Sequence, residues 1–315
     1  MNRAFQPVMA LCLLIVLGIS ACSEQTESTS DKATANDTAA QVSVYVVNYP
    51  LRYFAERIGG PYVRVTFPTP ADADPAFWEP GAEQIAAYQK ADLILLNGAS
   101  YAKWLPRVSL PASRMVDTSA AFADRYIPIA GQATHSHGDA GEHQHGDVAF
   151  TTWLDPLQAI VQAEAIRDAL IRLRPDAAGD FQQRFAALET DLRELDDRLA
   201  AAVAAGGSRP LVFSHPVYQY FIRRYAIDGY AVHWEPEATP SPDQWQELER
   251  LLAEHPARSM VWEGTPDPAT VAELKGRGLD SVVFDPCGNV PEEGDYLTVM
   301  RENLRRLSEA RAEEF

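Results

Sequence analysis

The stretch PDAAGDFQQRFAALETDLRELDDRLAAAVAAGG, residues 175–207, decides the fold of this chain. Its apolar side chains recur three or four residues apart, which is the period of one face of an α-helix. They are Phe181, Phe185, Leu188, Leu192, Leu195, Leu199 and Val203. Pro175 precedes this stripe and Gly206–Gly207 follow it, as expected at the two ends of a helix. The striped part spans roughly 33 Å, enough to pass along two small lobes and join them.

The stripe also lies near the heptad period, so a coiled coil that dimerises the chain is the alternative to a linker helix. On both sides of the stripe, short β-rich runs alternate with helical stretches, a pattern typical of α/β proteins. The runs are residues 42–47, 62–67 and 91–97 before the stripe, and 211–214, 230–234, 259–262 and 281–284 after it. The sequence therefore predicts an α/β fold of two lobes, each with a small, mostly parallel sheet, joined by one long helix.

The first residues have the pattern of an export signal. Arg3 precedes an apolar run over 8–19, which is too short to span a bilayer. Ile19-Ser20-Ala21-Cys22 then looks like a bacterial lipobox, at which cleavage leaves Cys22 to be acylated. An ordinary signal peptide with an incidental cysteine is the alternative. We expect a lipid-anchored protein in the periplasm or on the outer side of the cell membrane, with no other contact to the membrane.

The remaining sequence divides into segments, and its composition limits which partners the protein can have. The predicted segments are a signal peptide over 1–21, a polar tether over 22–41, an N-terminal lobe over 42–174, the linker helix over 175–207 and a C-terminal lobe over 208–315. With Cys12 in the signal and Cys22 acylated, Cys287 has no partner for a disulfide, so the core depends on burial of the 46% hydrophobic residues. The formal net charge of -17 argues against nucleic acid as a partner and is compatible with a cationic ligand.

Polar residues follow the predicted strands of both lobes. Ligands of open α/β sheets bind beyond the carboxyl ends of the strands, so these residues are candidates for a site. They are His215, Glu235, Glu263 and Asp285 in the C-terminal lobe, and Asn48, Thr69 and Asn97 in the N-terminal lobe. Each alone is more often a helix N-cap or a satisfied polar group. Imidazole and carboxylate together are ligands of zinc and similar cations, and the coincidence of four such residues predicts a metal site.

A second metal-binding pattern lies in the loop THSHGDAGEHQHGD, residues 134–147. It contains four of the chain's 7 histidines, namely His135, His137, His143 and His145. His-rich tracts of this kind bind divalent ions, although ordering such a loop costs conformational entropy and lowers the affinity. A solvated loop without metal is the alternative.

Five short motifs resemble those of the zinc and manganese ABC-transporter solute-binding proteins. They are Asp74–Pro80, Thr151–Pro156, Phe213–Tyr218, Glu235–Glu237 and Phe284–Gly288. The resemblance covers nearly the whole mature chain and includes a His-rich loop before mid-chain. It implies two lobes joined by a rigid helix and a monomer that captures zinc, or in second place manganese, without catalysis. It also implies delivery of the metal to a permease and its ATPase.

The resemblance implies metal ligands residue by residue. The first two motifs of the family each donate a histidine, but Ala76 and Thr151 stand at those positions here, so only His215 and Asp285 carry over. Two ligands cannot complete a tetrahedral zinc shell. The predicted site is therefore His215 and Asp285, completed by the loop histidines His135, His137, His143 and His145. Further candidates for the missing places are Glu79, Glu263 and Cys287.

Two other functions remain open from the sequence. A periplasmic metal buffer or metallochaperone is favoured by the altered cleft together with the intact loop. A capture protein for another small ligand is the second, since Ala76 and Thr151 make room in the cleft. A hydrolase ranks last, because the sequence contains neither His-Glu-x-x-His nor Gly-x-Ser-x-Gly.

Overall fold

A computed structural model describes residues 41–129, 134–136, 142–144 and 148–313. The predicted signal peptide, the tether and Cys22 lie outside these residues. The described residues all belong to one compact unit. Within the described ranges, no helix has the length and apolar content needed to cross a membrane.

The N-terminal lobe contains a four-stranded parallel sheet. Its strands are β1 (Val42–Val46), β2 (Val63–Thr66), β3 (Leu93–Leu96) and β4 (Met115–Asp117), in the order β2-β1-β3-β4. The central strand β3 is buried along its whole length, as expected where helices cover both faces of a parallel sheet. The sequence does not predict β4, because three residues ending in Asp117 are too few to show an apolar period.

Three helices belong to this lobe, α1 (Tyr49–Gly59), α2 (Ala82–Lys90) and α3 (Pro156–Leu173). The side chain of Asn48 caps α1 by accepting from the Leu51 amide at 3.1 Å. Between α2 and α3, within the His-rich loop, β5 (Thr134–Ser136) and β6 (Glu142–Gln144) pair antiparallel and set His135 opposite His143.

The linker helix α4 spans Ala178–Ala205, and the seven side chains of the predicted stripe are all at most 8% exposed. The C-terminal lobe follows with strands β7 (Leu211–Phe213), β8 (Gly229–Ala231), β9 (Ser259–Trp262) and β10 (Asp280–Val283). All are parallel, in the order β10-β9-β7-β8. Its helices are α5 (Gln219–Tyr225), α6 (Pro242–Glu254), α7 (Pro268–Gly276) and α8 (Tyr296–Glu313). Two parallel-sheet lobes joined by one long helix are thus confirmed.

Helix α4 packs against α1 and α3 of the first lobe and α8 of the second, so its apolar stripe is buried within the chain and not by a coiled-coil partner. Two ion pairs fix it further. Arg57 of α1 bonds Asp191 at 2.7 Å, and Arg224 of α5 donates from Nε to Asp196 at 2.9 Å. The linker therefore contacts both lobes along its length.

Candidate metal site

The site is built at the carboxyl ends of three adjacent strands of the C-terminal sheet. The ladder continues past the named strands, since the Ser214 amide donates to Val261 O at 2.8 Å and the Trp234 amide to Ser214 O at 2.7 Å. Strand β7 lies between β9 and β8, so the residue that follows Ser214 is flanked by residues that follow its two neighbours. This order brings His215 between Glu235 and Glu263.

The three side chains face one another at short range. Nδ1 of His215 lies 3.5 Å from Glu235 Oε1 and 3.3 Å from Glu263 Oε1, and His215 is only 1% exposed. Among the described residues, these three offer ligand atoms that all lie within 4.8 Å of one another. With zinc bonds of about 2.05 Å, the ligand atoms of a tetrahedron stand about 3.3 Å apart. The spacing around His215 therefore matches two edges of a zinc tetrahedron.

A cavity of about 200 Å³ opens beside this group in the cleft between the lobes. His215 and Glu263 line it from the C-terminal lobe, and Asp74, Tyr101 and Thr151 line it from the N-terminal lobe. The cavity gives a small ion and its water a path to the histidine and carboxylate atoms. Both lobes thus border the site, although its three clustered side chains come from one.

The N-terminal side of the cleft carries small residues where the family motifs have histidines. Ala76 is 1% exposed, and its amide donates to Asp74 Oδ1 at 2.8 Å. Thr151 lines the cavity, but its hydroxyl donates to the carbonyl oxygen of Val217 across the cleft. Neither position supplies a metal ligand; Thr151 instead ties the two lobes together.

Two of the three polar residues after the N-terminal strands, Asn48 and Asn97, serve the structure of their own lobe. Asn48 Nδ2 donates to Asn97 Oδ1 at 3.1 Å, and Asn97 Nδ2 donates to Phe150 O at 2.9 Å. Gln162 Nε2 also reaches Asn97 Oδ1, at 3.2 Å. Since Asn48 and Asn97 are buried and bonded to one another and to the chain, they hold the cleft edge of this lobe in place.

Asp285 follows β10 at the edge of the sheet, and the structure does not bring it into the group around His215. Its Oδ1 accepts from the Cys287 amide at 2.6 Å, and the Asn303 side chain bonds its amide and carbonyl. Burial, together with the nearby Glu263 carboxylate, raises the pKa of Asp285. Burial raises the pKa of the Cys287 thiol even more strongly, and this side chain is 1% exposed. The predicted roles of both as ligands stay predictions.

The remaining sequence candidates lie elsewhere. Glu79 pairs with Arg107 at 2.7 Å on the surface, where both side chains are more than half exposed. His135 and His143 are register partners in the short hairpin, a placement that brings two histidines of the loop to directly opposite positions. His137 and His145 lie outside the described residues, as does Cys22.

Sequence reasoning missed His233. Its ring centroid lies 5.8 Å from that of His215, at an interplanar angle of 74°. The signal was present, because His233 and Glu235 alternate with Val232 and Trp234, which are each 1% exposed. The predicted run over 230–234 contains His233, and the rule that ligands follow the end of a strand selects Glu235 instead.

The chain has the architecture of two parallel-sheet lobes that border a cleft and are joined by one long helix. The chain belongs to the family described as "Zinc-uptake complex component A periplasmic", whose model matches residues 44–310.

Known relatives are similar along most of this chain. The zinc-binding lipoprotein AdcA of Streptococcus pneumoniae strain R6 is 25% identical over 317 residues, which cover 97% of this chain and 61% of AdcA. The chain thus spans about three fifths of the curated relatives it first matches. The manganese ABC transporter substrate-binding lipoprotein PsaA of S. pneumoniae is 25% identical over 315 residues, 96% of this chain and 97% of PsaA.

Solved structures share the fold. The zinc-bound ZnuA-like domain of S. pneumoniae AdcA superposes with a TM-score of 0.74 at 22% identity, covering 86% of this chain and 99% of that domain. A crystal structure of ZnuA gives a TM-score of 0.67 at 22% identity, covering 86% and 100%.

Proposed function

We propose that this protein captures a divalent transition metal for an ABC importer, with zinc as the preferred cargo and manganese as the second. The observation that carries the proposal is the buried His215 imidazole, held 3.3 Å and 3.5 Å from two glutamate oxygens at the cleft. Membership of the zinc-uptake family supports it, and so do similar proteins named for binding zinc or manganese.

The chemistry of the group favours such a cargo. Imidazole nitrogen suits zinc and its neighbours in the transition series, whereas magnesium and calcium favour oxygen alone. The two negative charges of Glu235 and Glu263 neutralise the two positive charges of a divalent ion. Binding the ion therefore does not bury a net charge. The formal net charge of -17 further raises the local concentration of cations.

The same proposal extends to partners and place. The protein releases its metal to a permease driven by an ATPase, and it binds without catalysing a reaction. It works on the outer side of the cell membrane or in the periplasm, held by a lipid on Cys22. Names of similar proteins as ABC transporter lipoproteins support this arrangement.

The test is the metal content of protein purified without chelator, measured for wild type, His215→Ala and the matched control His255→Ala. We expect about one zinc per chain in wild type and control, and loss of the tightest binding in His215→Ala. Because metal ligands must be deprotonated to bind, zinc affinity should fall in acid. Wild type that takes up no transition metal, or His215→Ala that keeps full affinity, would contradict the proposal.

A further inference from the structure

We propose that the metal is held by the C-terminal lobe alone, with His233 as the fourth ligand beside His215, Glu235 and Glu263. This inference rests on the proposed function, because it names the ligands of the same site. It differs from the set predicted from the sequence, which takes Asp285 and the loop histidines as partners of His215.

The backbone places His233 and Glu235 on the same face. The Val232 amide donates to Phe213 O at 2.9 Å and the Trp234 amide to Ser214 O at 2.7 Å, so residues 232–234 extend strand β8. Side chains alternate along a strand, and those of Val232 and Trp234 are buried in the lobe. His233 and Glu235 therefore project together from the opposite face, toward the end of β7.

The distance between the two imidazoles fits a shared ion. Two imidazoles bound to one tetrahedral zinc through bonds of about 2.05 Å have ring centroids roughly 5–5.5 Å apart. The rings of His215 and His233 are 5.8 Å apart and nearly perpendicular. His233 is exposed and stands outside the three residues whose ligand atoms all lie within 4.8 Å, so its side chain has to rotate to reach the shared ion.

Contacts from two helices hold the segment that carries these ligands. The Gln244 side chain, in the capping box of α6, donates to His233 O at 2.8 Å. The Asp267 amide, at the N-cap of α7, donates to Pro236 O at 2.8 Å. Anchors at both ends of residues 233–236 fix the backbone before metal arrives, as an efficient binding site requires.

Among the described residues of the other lobe, no three such ligand atoms lie within 4.8 Å of one another. Ala76 has no ligand atom, and the Thr151 hydroxyl is engaged by Val217. Two imidazoles and two carboxylates from the C-terminal lobe complete a neutral, four-coordinate zinc site without either position. The N-terminal lobe then acts as the wall of the cavity and not as a donor.

The experiment is calorimetric titration of the full mature chain with zinc alone, using Glu235→Gln, Glu263→Gln and His233→Gln. The controls are Glu237→Gln, an exposed glutamate in the same turn, and His255→Gln, whose ring stacks on Tyr230 away from the site. We expect each of the three ligand variants to lose about a hundredfold in affinity, one ligand's share, and the controls to match wild type. The cobalt(II) absorption spectrum of each variant, which reports coordination geometry, gives a second reading that does not depend on affinity.

Each result decides between the ligand sets. His233→Gln equal to His255→Gln in both affinity and cobalt spectrum removes His233 from the site. Loss of the tightest affinity on deleting residues 135–145, or on Asp285→Asn, overturns the one-lobe set in favour of the set predicted from the sequence. If wild type binds zinc but a variant gives one of these results, only the ligand set is overturned and the proposed function stands. If wild type does not bind zinc, the ligand set and the proposed function are both overturned.

Discussion

Asp155 and His215 both follow a short local element and both are buried, yet the chain uses them differently. Asp155 accepts from the Leu157 amide at 3.0 Å and caps α3. His215 caps no helix; its Nδ1 faces Glu235 and Glu263. A buried imidazole that faces two carboxylates at a cleft is the feature that points to a cationic ligand.

Asp155 makes the pH dependence of stability testable. Burial raises its pKa above the usual value of 3.8, so the folded state binds a proton before the unfolded state does. Protonation therefore favours folding as the pH falls from the raised pKa toward 3.8, and ionisation costs stability above it. Asparagine caps a helix about as well as aspartate. We expect Asp155→Asn to be at least as stable as wild type at pH 7, with the difference shrinking as the pH falls.

Urea unfolding of both proteins at pH 7 and pH 4.5 measures this difference. A difference that grows in favour of Asp155→Asn as the pH falls contradicts the assigned direction. The experiment also separates the charge of Asp155 from its capping bond, since only the charge is removed.

At this scale the sequence predicts part of the site. Position after an apolar run is enough to select His215, Glu235, Glu263 and Asp285 as a set. It does not tell which of the four converge, because that depends on the strand order β10-β9-β7-β8, which places β7 between its two partners. His233 is missed because it lies inside the predicted run over 230–234, whereas the rule selects only residues that follow a run.

The linker helix is the element that the sequence defines most fully. Its predicted stripe is buried throughout, because apolar side chains at the helical period lie on one face of the helix, and that face packs into the core. The apolar stripe does not predict which polar side chains of the helix bond to the lobes. Asp196 sits on the buried side at 5% exposure and receives both Arg224 and the Tyr225 hydroxyl, the latter at 2.9 Å.

Replacing Asp196 tests how much its bonds to Arg224 and Tyr225 contribute to the free energy of unfolding. Asp196→Ala leaves Arg224 without its carboxylate and the Tyr225 hydroxyl without its acceptor. Because Arg224 is about one third exposed, we expect a loss of about 2 kcal/mol in the free energy of unfolding, below the range for a fully buried pair. The neighbouring exposed Asp197→Ala should change it by less than about 0.5 kcal/mol. Equal losses in the two variants, measured by urea unfolding, would show that the bond to α5 does not stabilise the fold.

For the whole molecule, contacts across the cleft limit movement of the lobes. Trp153 Nε1 donates to Pro286 O at 2.7 Å, the Tyr49 amide donates to Gly288 O at 3.0 Å, and α4 packs along both lobes. A hinge made of one long, packed helix allows rocking but not wide closure. A site contained in one lobe does not need closure to form.

Small-angle scattering with and without zinc tests this rigidity. We expect the radius of gyration to agree within error between the two states, since neither the helix nor the contacts across the cleft need to break. A clear decrease on adding zinc would show a domain closure that this architecture does not permit.

The most direct test of the account is a crystal structure of the zinc-loaded protein, with diffraction data recorded on both sides of the zinc absorption edge. We expect one strong anomalous peak about 2.0–2.2 Å from a ring nitrogen of His215 and from carboxylate oxygens of Glu235 and Glu263. A zinc peak confined to the loop over 134–147, with none at His215, would contradict it.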